Sequence, residues 1–546
     1  MNTRRLTKKE MWIFAVGQLG WSILSGIISA WLVAFYLPTK ETNSLGQSIF
    51  SGTGNKLADG TITGGIPFYT IILPGLIIGG FLTILGLITA LCRVWDAVSD
   101  PLIANMSDNS KNKKGRRMPF MKFAAIPFAV TTILVFMAPS LFYGGTEPTG
   151  WNVAWVAVML VLFYTFMTIY CTPYNALISE FGKTQEDRMN ISTYISLTFF
   201  AGTLLAYTPF VFAGFFREMV GYYWSYVVCF IPLVVIACVC MLIPAFLLKE
   251  TDFVESKPAG TIAFKSLGKT FKNKDFRTFS LSDVAYFVAL TLFQTGLAFF
   301  VKVSMGLDEF FVMVFMGAMT VLSACFYPFV TKFVQKFGKK KLVIAGFLGL
   351  ALAYLITALS NVITVIPGMV YGVLIVLVAS FPMALLGIIP QSIVADIAEA
   401  DAVETGEKRE GMFFAARTFA MKLGQSIAML LFTSLAIIGS GATYEELKNS
   451  NDISATTTGL LIVGLVAVAF CLAGAAILFF YNEKKVMKTI AKAEDKTFFA
   501  ENAIEGVSDE EVATEAEAEV EAEEVKEEKQ VEEAASEQAA DDSKEE

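Results

Sequence analysis

The feature that most constrains this chain is repetition: apolar stretches long enough to cross a bilayer recur along its length, separated by short polar breaks. About 20 residues at 1.5 Å rise cover the roughly 30 Å of hydrocarbon. Twelve stretches qualify, at about 11–37, 79–105, 119–140, 151–178, 190–215, 222–247, 279–301, 309–332, 341–360, 363–394, 412–438 and 457–481. Inside lipid every backbone N–H and C=O must be satisfied within the protein, which leaves helices or closed barrels. The expected fold class is therefore an all-α membrane protein with twelve transmembrane helices. Composition agrees: 55% of the 546 residues are hydrophobic, 17% are charged, and the mean hydropathy is +0.59.

What is missing narrows the chemistry. The chain has no histidine, so serine triads, Cys-His dyads, HExxH metalloprotease helices and histidine proton relays are excluded. All seven cysteines, Cys92, Cys171, Cys229, Cys238, Cys240, Cys325 and Cys471, lie in apolar runs without CxxC spacing and read as small reduced hydrophobes. No Walker loop is present, so ATP drive is unsupported. The reading is of a protein that is not an enzyme and carries no cofactor.

Charge is segregated. Residues 501–546 hold 20 acidic and 3 basic residues, which leaves 30 acidic against 39 basic in the rest of the chain. Lysine and arginine crowd the loops on one side of the spans: Arg4 to Lys9, Lys111 to Arg117, Lys249 to Arg277, Lys332 to Lys341 and Lys484 to Lys496. The opposite loops hold five, Lys40, Lys56, Arg217, Lys302 and Lys448. Positive loops stay on the cytoplasmic side during insertion, so both termini are expected in the cytoplasm of a multi-pass cell-membrane protein. The first span is too long for a signal-peptide core and lacks an A-x-A-like exit, and is expected to remain uncleaved.

An internal echo points to duplication. KKGRRMPF (Lys113–Phe120) follows the second span and QKFGKKKL (Gln335–Leu342) follows the eighth, placing Gly115 and Gly338 at matching points of two six-helix units. The expected organisation is a six-helix bundle over 1–248, with an external insertion at about 38–78. A cytoplasmic central loop over 249–278 leads to a second, pseudo-symmetric bundle over 279–482. An acidic, disordered cytoplasmic tail over 483–546 ends the chain. The apolar run Ile66 to Ile78 either lengthens the second span or lies against the membrane as a flap.

Ionisable groups inside apolar spans carry the functional information, since each costs about 2.5–3.5 kcal/mol at a helix centre on insertion scales. In LCRVWDAVSDP, Arg93, Asp96 and Asp100 stand three and four residues apart on one helical face. Two carboxylates one turn apart repel, so one takes up a proton or a cation sits between them. Two acids against one arginine leave a negative charge over, which makes a seat for Na⁺, with H⁺ as the alternative. Ser99 and Thr168 are candidates to complete an oxygen shell. Lys422, deep in the eleventh span, is placed to pair with either acid when the cation is absent. Arg417 lies nearer the end of that span, either in a cavity or as an anchor. Asp396, Glu399 and Asp401 cluster at the cytoplasmic end of the tenth span, where they either close salt bridges with the basic loops, Asp396 and Glu399 with Arg116 and Arg117 being the candidate cytoplasmic gate, or stay solvated loop acids.

Three stretches resemble a known group: RVWDAVSDPLIANMSDNSKNKKGRRMPF, TPYNALISEFGKTQEDR (Thr172–Arg188) and IVADIAEADAVETGEKREGMFFAARTFAMKLG (Ile393–Gly424). They are similar to the glycoside-pentoside-hexuronide:cation symporters, the melibiose permease-like family of the major facilitator superfamily, over roughly residues 10–485. The resemblance implies a twelve-helix alternating-access carrier moving a sugar with Na⁺, H⁺ or Li⁺. It assigns Asp96 and Asp100 to the cation, Thr168 beside them, and Arg93 and Lys422 to charge coupling.

The sugar half departs from the pattern. Ser22 stands where melibiose permease uses an acid in its first span, Cys171 and Asn175 replace an acid and a tryptophan, and Ser196 replaces an arginine. A different polyhydroxylated substrate is implied, with Gln18, Trp21, Tyr170, Tyr174, Tyr194, Tyr286 and Gln294 as further candidate contacts. The expected partners are that sugar-like solute and the lipid bilayer, with no nucleic acid and a monomer as the working unit. A cation-coupled carrier of an amphiphile such as a lysolipid, and a non-transporting scaffold using the acidic tail, are the alternatives.

Overall fold

The computed structural model describes residues 4–36, 81–110, 112, 115–139, 149–182, 185–220, 222–253, 268–363, 365–405, 410–439 and 455–491, together with strand residues 55–56, 62–63 and 72–74. Most of the expected insertion, residues 254–267 of the central loop and the acidic tail beyond 491 lie outside the described residues. The helices are Lys8–Tyr36, Ile84–Asp108, Met118–Val135, Thr149–Phe181, Gln185–Ala206 with its continuation Pro209–Val220, Tyr222–Leu247, Lys274–Phe299 with a π turn Phe300–Ser304, Phe310–Phe337, Lys339–Leu359, Gly368–Thr405, Glu410–Leu435 and Thr457–Leu478. They supply the first to the twelfth span in that order. Among the described residues eleven are long and apolar enough to cross a membrane. The second is not counted among them, because every stretch of membrane length within it includes Arg93, Asp96 and Asp100.

Two boundaries differ from the sequence reading. The second span begins at Ile84, because Phe81–Thr83 pairs antiparallel with Ile72–Pro74; Asn55–Lys56 and Ile62–Thr63 make a second small ladder. Glycines 79 and 80 disfavour an earlier helical start. The tenth helix runs on to Thr405, and its 38 residues exceed what the hydrocarbon requires. Its last turns carry Asp396, Glu399 and Asp401. Residues 396–405 and 482–491 form a small separate unit, within which Lys485 and Glu404 meet at 3.7 Å.

Packing groups the helices by the two halves of the sequence. The first span packs on the fifth and sixth, the third on the fourth and sixth, and the second on the fourth. The seventh packs on the eleventh and twelfth, and the ninth on the twelfth. Contacts between these two sets run through second against eleventh, first against seventh, and fifth against eighth. Within each set neutral polar groups tie helix to helix: Trp31 Nε1 donates to the Ala206 carbonyl, Tyr170 Oη to that of Met241, Tyr174 Oη to that of Phe14 and Tyr354 Oη to that of Ala289. Such groups must find partners in a medium that offers no water. Large apolar side chains such as Phe215, Met219 and Val365 stay outward.

The matched glycines behave alike. Gly115 has φ 116° and Gly338 has φ 80°, a region that suits glycine alone. At Gly115 the turn also lets Glu250 approach: a Cβ there would stand 2.3 Å from Glu250 Oε2. Glu250 is buried and accepts from the main-chain N–H groups of Arg116, Arg117 and Met118 at 2.8, 2.8 and 2.9 Å. A carboxylate thus satisfies the orphan donors at the start of the third helix, where the helix dipole favours negative charge.

Replacing Glu250 by alanine strands these three donors and is expected to cost about 3 kcal/mol, read as a lowered unfolding temperature in detergent. An unchanged unfolding temperature refutes the clamp.

Candidate cation and substrate site

The second helix buries Asp96 completely and Asp100 in part, on the face they share with Arg93. The eleventh helix packs against that face, and Ser426 Oγ donates to the Ala90 carbonyl at 2.9 Å. This register brings Lys422 level with both acids. Its Nζ lies 2.8 Å from Asp96 Oδ1 and 2.7 Å from Asp100 Oδ2, and 3.3 Å from the Asp96 carbonyl. Arg93 is a weaker partner at 3.4 Å from Asp96 Oδ2, its guanidinium lying 4.7 Å over the Tyr164 ring. The charge left over in the sequence reading is therefore answered from the other half of the chain: two acids face two bases.

Hydroxyls complete the cluster. Thr168 Oγ1 donates to Asp96 Oδ1 at 3.0 Å, and Ser99 Oγ lies 3.2 Å from Thr168 Oγ1. Ser99 itself donates to the Asp96 carbonyl at 3.0 Å, so it buttresses Thr168 without reaching the carboxylate. Thr172 Oγ1 donates to Asp100 Oδ1 at 3.2 Å. Sequence reasoning missed Thr172, although it stands one turn after Thr168 on the same helical face. It also missed Asp283, a buried acid inside the seventh span: Arg417 donates to it through Nε at 2.7 Å and Nη2 at 3.2 Å. Arg417 is thus paired within its own half rather than serving as a free end anchor.

The candidate sugar contacts separate. Gln18 Nε2 donates to Ser22 Oγ at 2.8 Å, both buried. Trp21 Nε1 is buried without an acceptor. Cys171 and Gln294 are half-buried, while Asn175 and Ser196 are exposed, Ser196 Oγ donating to the Ser192 carbonyl. Tyr170 and Tyr174 commit their hydroxyls to the main-chain carbonyls already described, which gives them a packing role in this conformation. Tyr194 stacks on Trp12, and Tyr286 is buried edge-on against Phe347. The seven cysteines are free.

For the gate, Arg116 Nη2 and Arg117 Nη1 reach Glu180 Oε1 on the fourth helix at 2.6 and 3.0 Å. The loop arginines therefore have a partner within their own half. Asp396 is half-buried and Glu399 exposed on the tenth helix.

A family model described as MFS/sugar transport protein matches residues 13–484. The putative glycoside/cation symporter YagG of Escherichia coli (strain K12) is 23% identical over 398 residues, 71% of this chain and 80% of that protein. The sodium-dependent lysophosphatidylcholine symporter 1 of Gallus gallus is 23% identical over 420 residues, 68% of this chain and 76% of that one. Among solved structures, a D-xylose-proton symporter aligns with a TM-score of 0.57 at 14% identity, covering 87% of this chain and 98% of its own. The fold is that of the MFS transporters.

Removing the ammonium with Lys422→Gln leaves two close carboxylates facing Arg93 alone. Breaking a buried pair in this way costs about 3–5 kcal/mol, so the unfolding temperature should fall in choline chloride. Sodium chloride should restore more of it than in the unmodified protein; equal responses to both salts would refute the charge assignment.

Proposed function

The chain belongs to the MFS/sugar transport protein family, whose members are membrane transporters and not enzymes, and we propose that it is a sugar:cation symporter working by alternating access. The observation that carries this reading is the Lys422 ammonium held by both Asp96 and Asp100. An internal cation bridges two buried acids, and it comes from the opposite half of the chain. A monovalent cation from solution, Na⁺ with H⁺ or Li⁺ as alternatives, replaces that charge at the same oxygens. Thr168 and Thr172 are within reach as neutral oxygen ligands, which suits a hard ion. The exchange detaches the eleventh helix from the second, so cation binding favours the conformation in which the halves part.

The solute half of the reading rests on the family description and on the polar groups of the first span. Gln18 and Ser22 offer hydroxyl partners, and the Trp21 indole N–H is a buried donor that lacks an acceptor. A sugar hydroxyl supplies one. Asp396, Glu399, Arg116 and Arg117 remain the proposed cytoplasmic gate. The lysine and arginine distribution supports a cell-membrane carrier with both termini in the cytoplasm and two six-helix bundles joined by the central loop. An amphiphile such as a lysolipid is the second reading of the cargo, favoured by the similarity to the lysophosphatidylcholine symporter.

Counterflow in proteoliposomes, run over a panel of glycosides and lysolipids with and without Na⁺ or Li⁺, separates the two cargoes. Asp96→Ala and Asp100→Ala should abolish ion stimulation while cation-independent exchange survives. Variants that still respond to sodium as the unmodified carrier does would sink the cation assignment.

A further inference from the structure

A second charged cluster joins the halves far from Lys422, at the membrane face opposite the basic loops. It gathers residues from the adjoining ends of four spans. Glu309 opens the eighth helix, Lys302 closes the seventh, Arg217 closes the fifth and Tyr226 lies in the first turns of the sixth. Lys302 Nζ holds Glu309 Oε1 at 2.7 Å. The other oxygen, Oε2, accepts from Tyr226 Oη at 2.7 Å and from Arg217 Nη2 at 3.2 Å, and Arg217 Nη2 also donates to Tyr226 Oη at 2.9 Å. Glu309 therefore offers one oxygen to its own half and the other to the opposite half.

We infer that Glu309 is a gating residue, whose carboxylate bolts the two halves together at this face and must release Arg217 and Tyr226 each time the face opens. The division of its oxygens makes the contact reversible. Lys302 stays with Glu309 when the halves part, so the carboxylate keeps a countercharge and its position. Arg217, with 34% of its side chain exposed, is rehydrated at little cost. Burial alone pushes the Glu309 carboxyl upward, but Lys302, Tyr226 and Arg217 outweigh it and hold it below its ordinary range. The bolt is thus charged at neutral pH. Packing beneath it is closed as well: Leu204 on the fifth helix stands 3.3 Å from where a side chain on Gly317 of the eighth would begin, and Phe200 lies 6.1 Å from Tyr327.

The inference rests on the fold and this geometry and holds for either cargo. Spin labels at Met219 and Phe310, both exposed at the two sides of the cluster, report the separation by double electron–electron resonance in the full-length, cysteine-free protein. Glu309→Gln and Arg217→Gln are each expected to raise the fraction of long distances about fivefold, and Glu309→Asp to bring it back toward the parent. Tyr226→Phe, which removes one hydroxyl and keeps the ring, should give about a twofold rise and stands in where the charge variants fold poorly. Lys302→Gln, whose contact with Glu309 lies within one half, should change the fraction least. Distance distributions unchanged by Arg217→Gln and Tyr226→Phe would overturn the assignment, as would a Lys302→Gln effect as large as that of Arg217→Gln.

Discussion

An ammonium lodged between two carboxylates, out of reach of most water, fixes much of the architecture around it. Asp96 cannot face lipid, and neither can Lys422, because a solitary charge in hydrocarbon is far more costly than one that is paired. The second helix must therefore turn its Arg93–Asp96–Asp100 face inward, and the eleventh must lie against it at the depth that lets Lys422 reach both acids. Ser426 on Ala90 is the neutral contact that the same register produces. The fourth helix is drawn in by the need for hydroxyl partners, which Thr168 and Thr172 supply.

Neutral hydrogen bonds and buried ion pairs both hold the helices together. Within each half, tyrosine and tryptophan donors on main-chain carbonyls join helices alongside ion pairs such as Arg417–Asp283. Between halves, Lys422 at the centre and Glu309 at one face are charge pairs, and a charge pair has a substitute wherever an ion or water can enter. Charge pairs across the halves are the contacts that an entering ion or water can replace.

Much of this was legible in the residues themselves. Apart from the tenth helix, which runs on to Thr405, the apolar runs placed the spans to within a few residues, and the three-and-four spacing of Arg93, Asp96 and Asp100 identified the inward face. Gly115 and Gly338 announced a shared turn because only glycine accommodates it. The failures share a cause. Which acid answers a loop arginine depends on how distant helices are brought together, so the pairing of Arg116 and Arg117 with Glu180 of the fourth span was not foreseen. Glu309 gave no signal because a polar residue at the very start of a span looks like solvated loop. Asp283 was visible by the same rule that found Asp96, a charge inside an apolar span, but it stands singly with no neighbouring acid to draw the eye.

The Glu250 carboxylate has a mechanical meaning. It joins the end of the sixth span to the start of the third, while Arg4, ahead of the first span, donates its main-chain N–H to the Asp252 carbonyl and lays its guanidinium over Phe253. Arg116 and Arg117 extend the same junction to the fourth span through Glu180. One corner of the molecule is thus braced: the start of the third span, the end of the sixth, the fourth and the segment ahead of the first are cross-tied, so none of these ends can shift without loading the others.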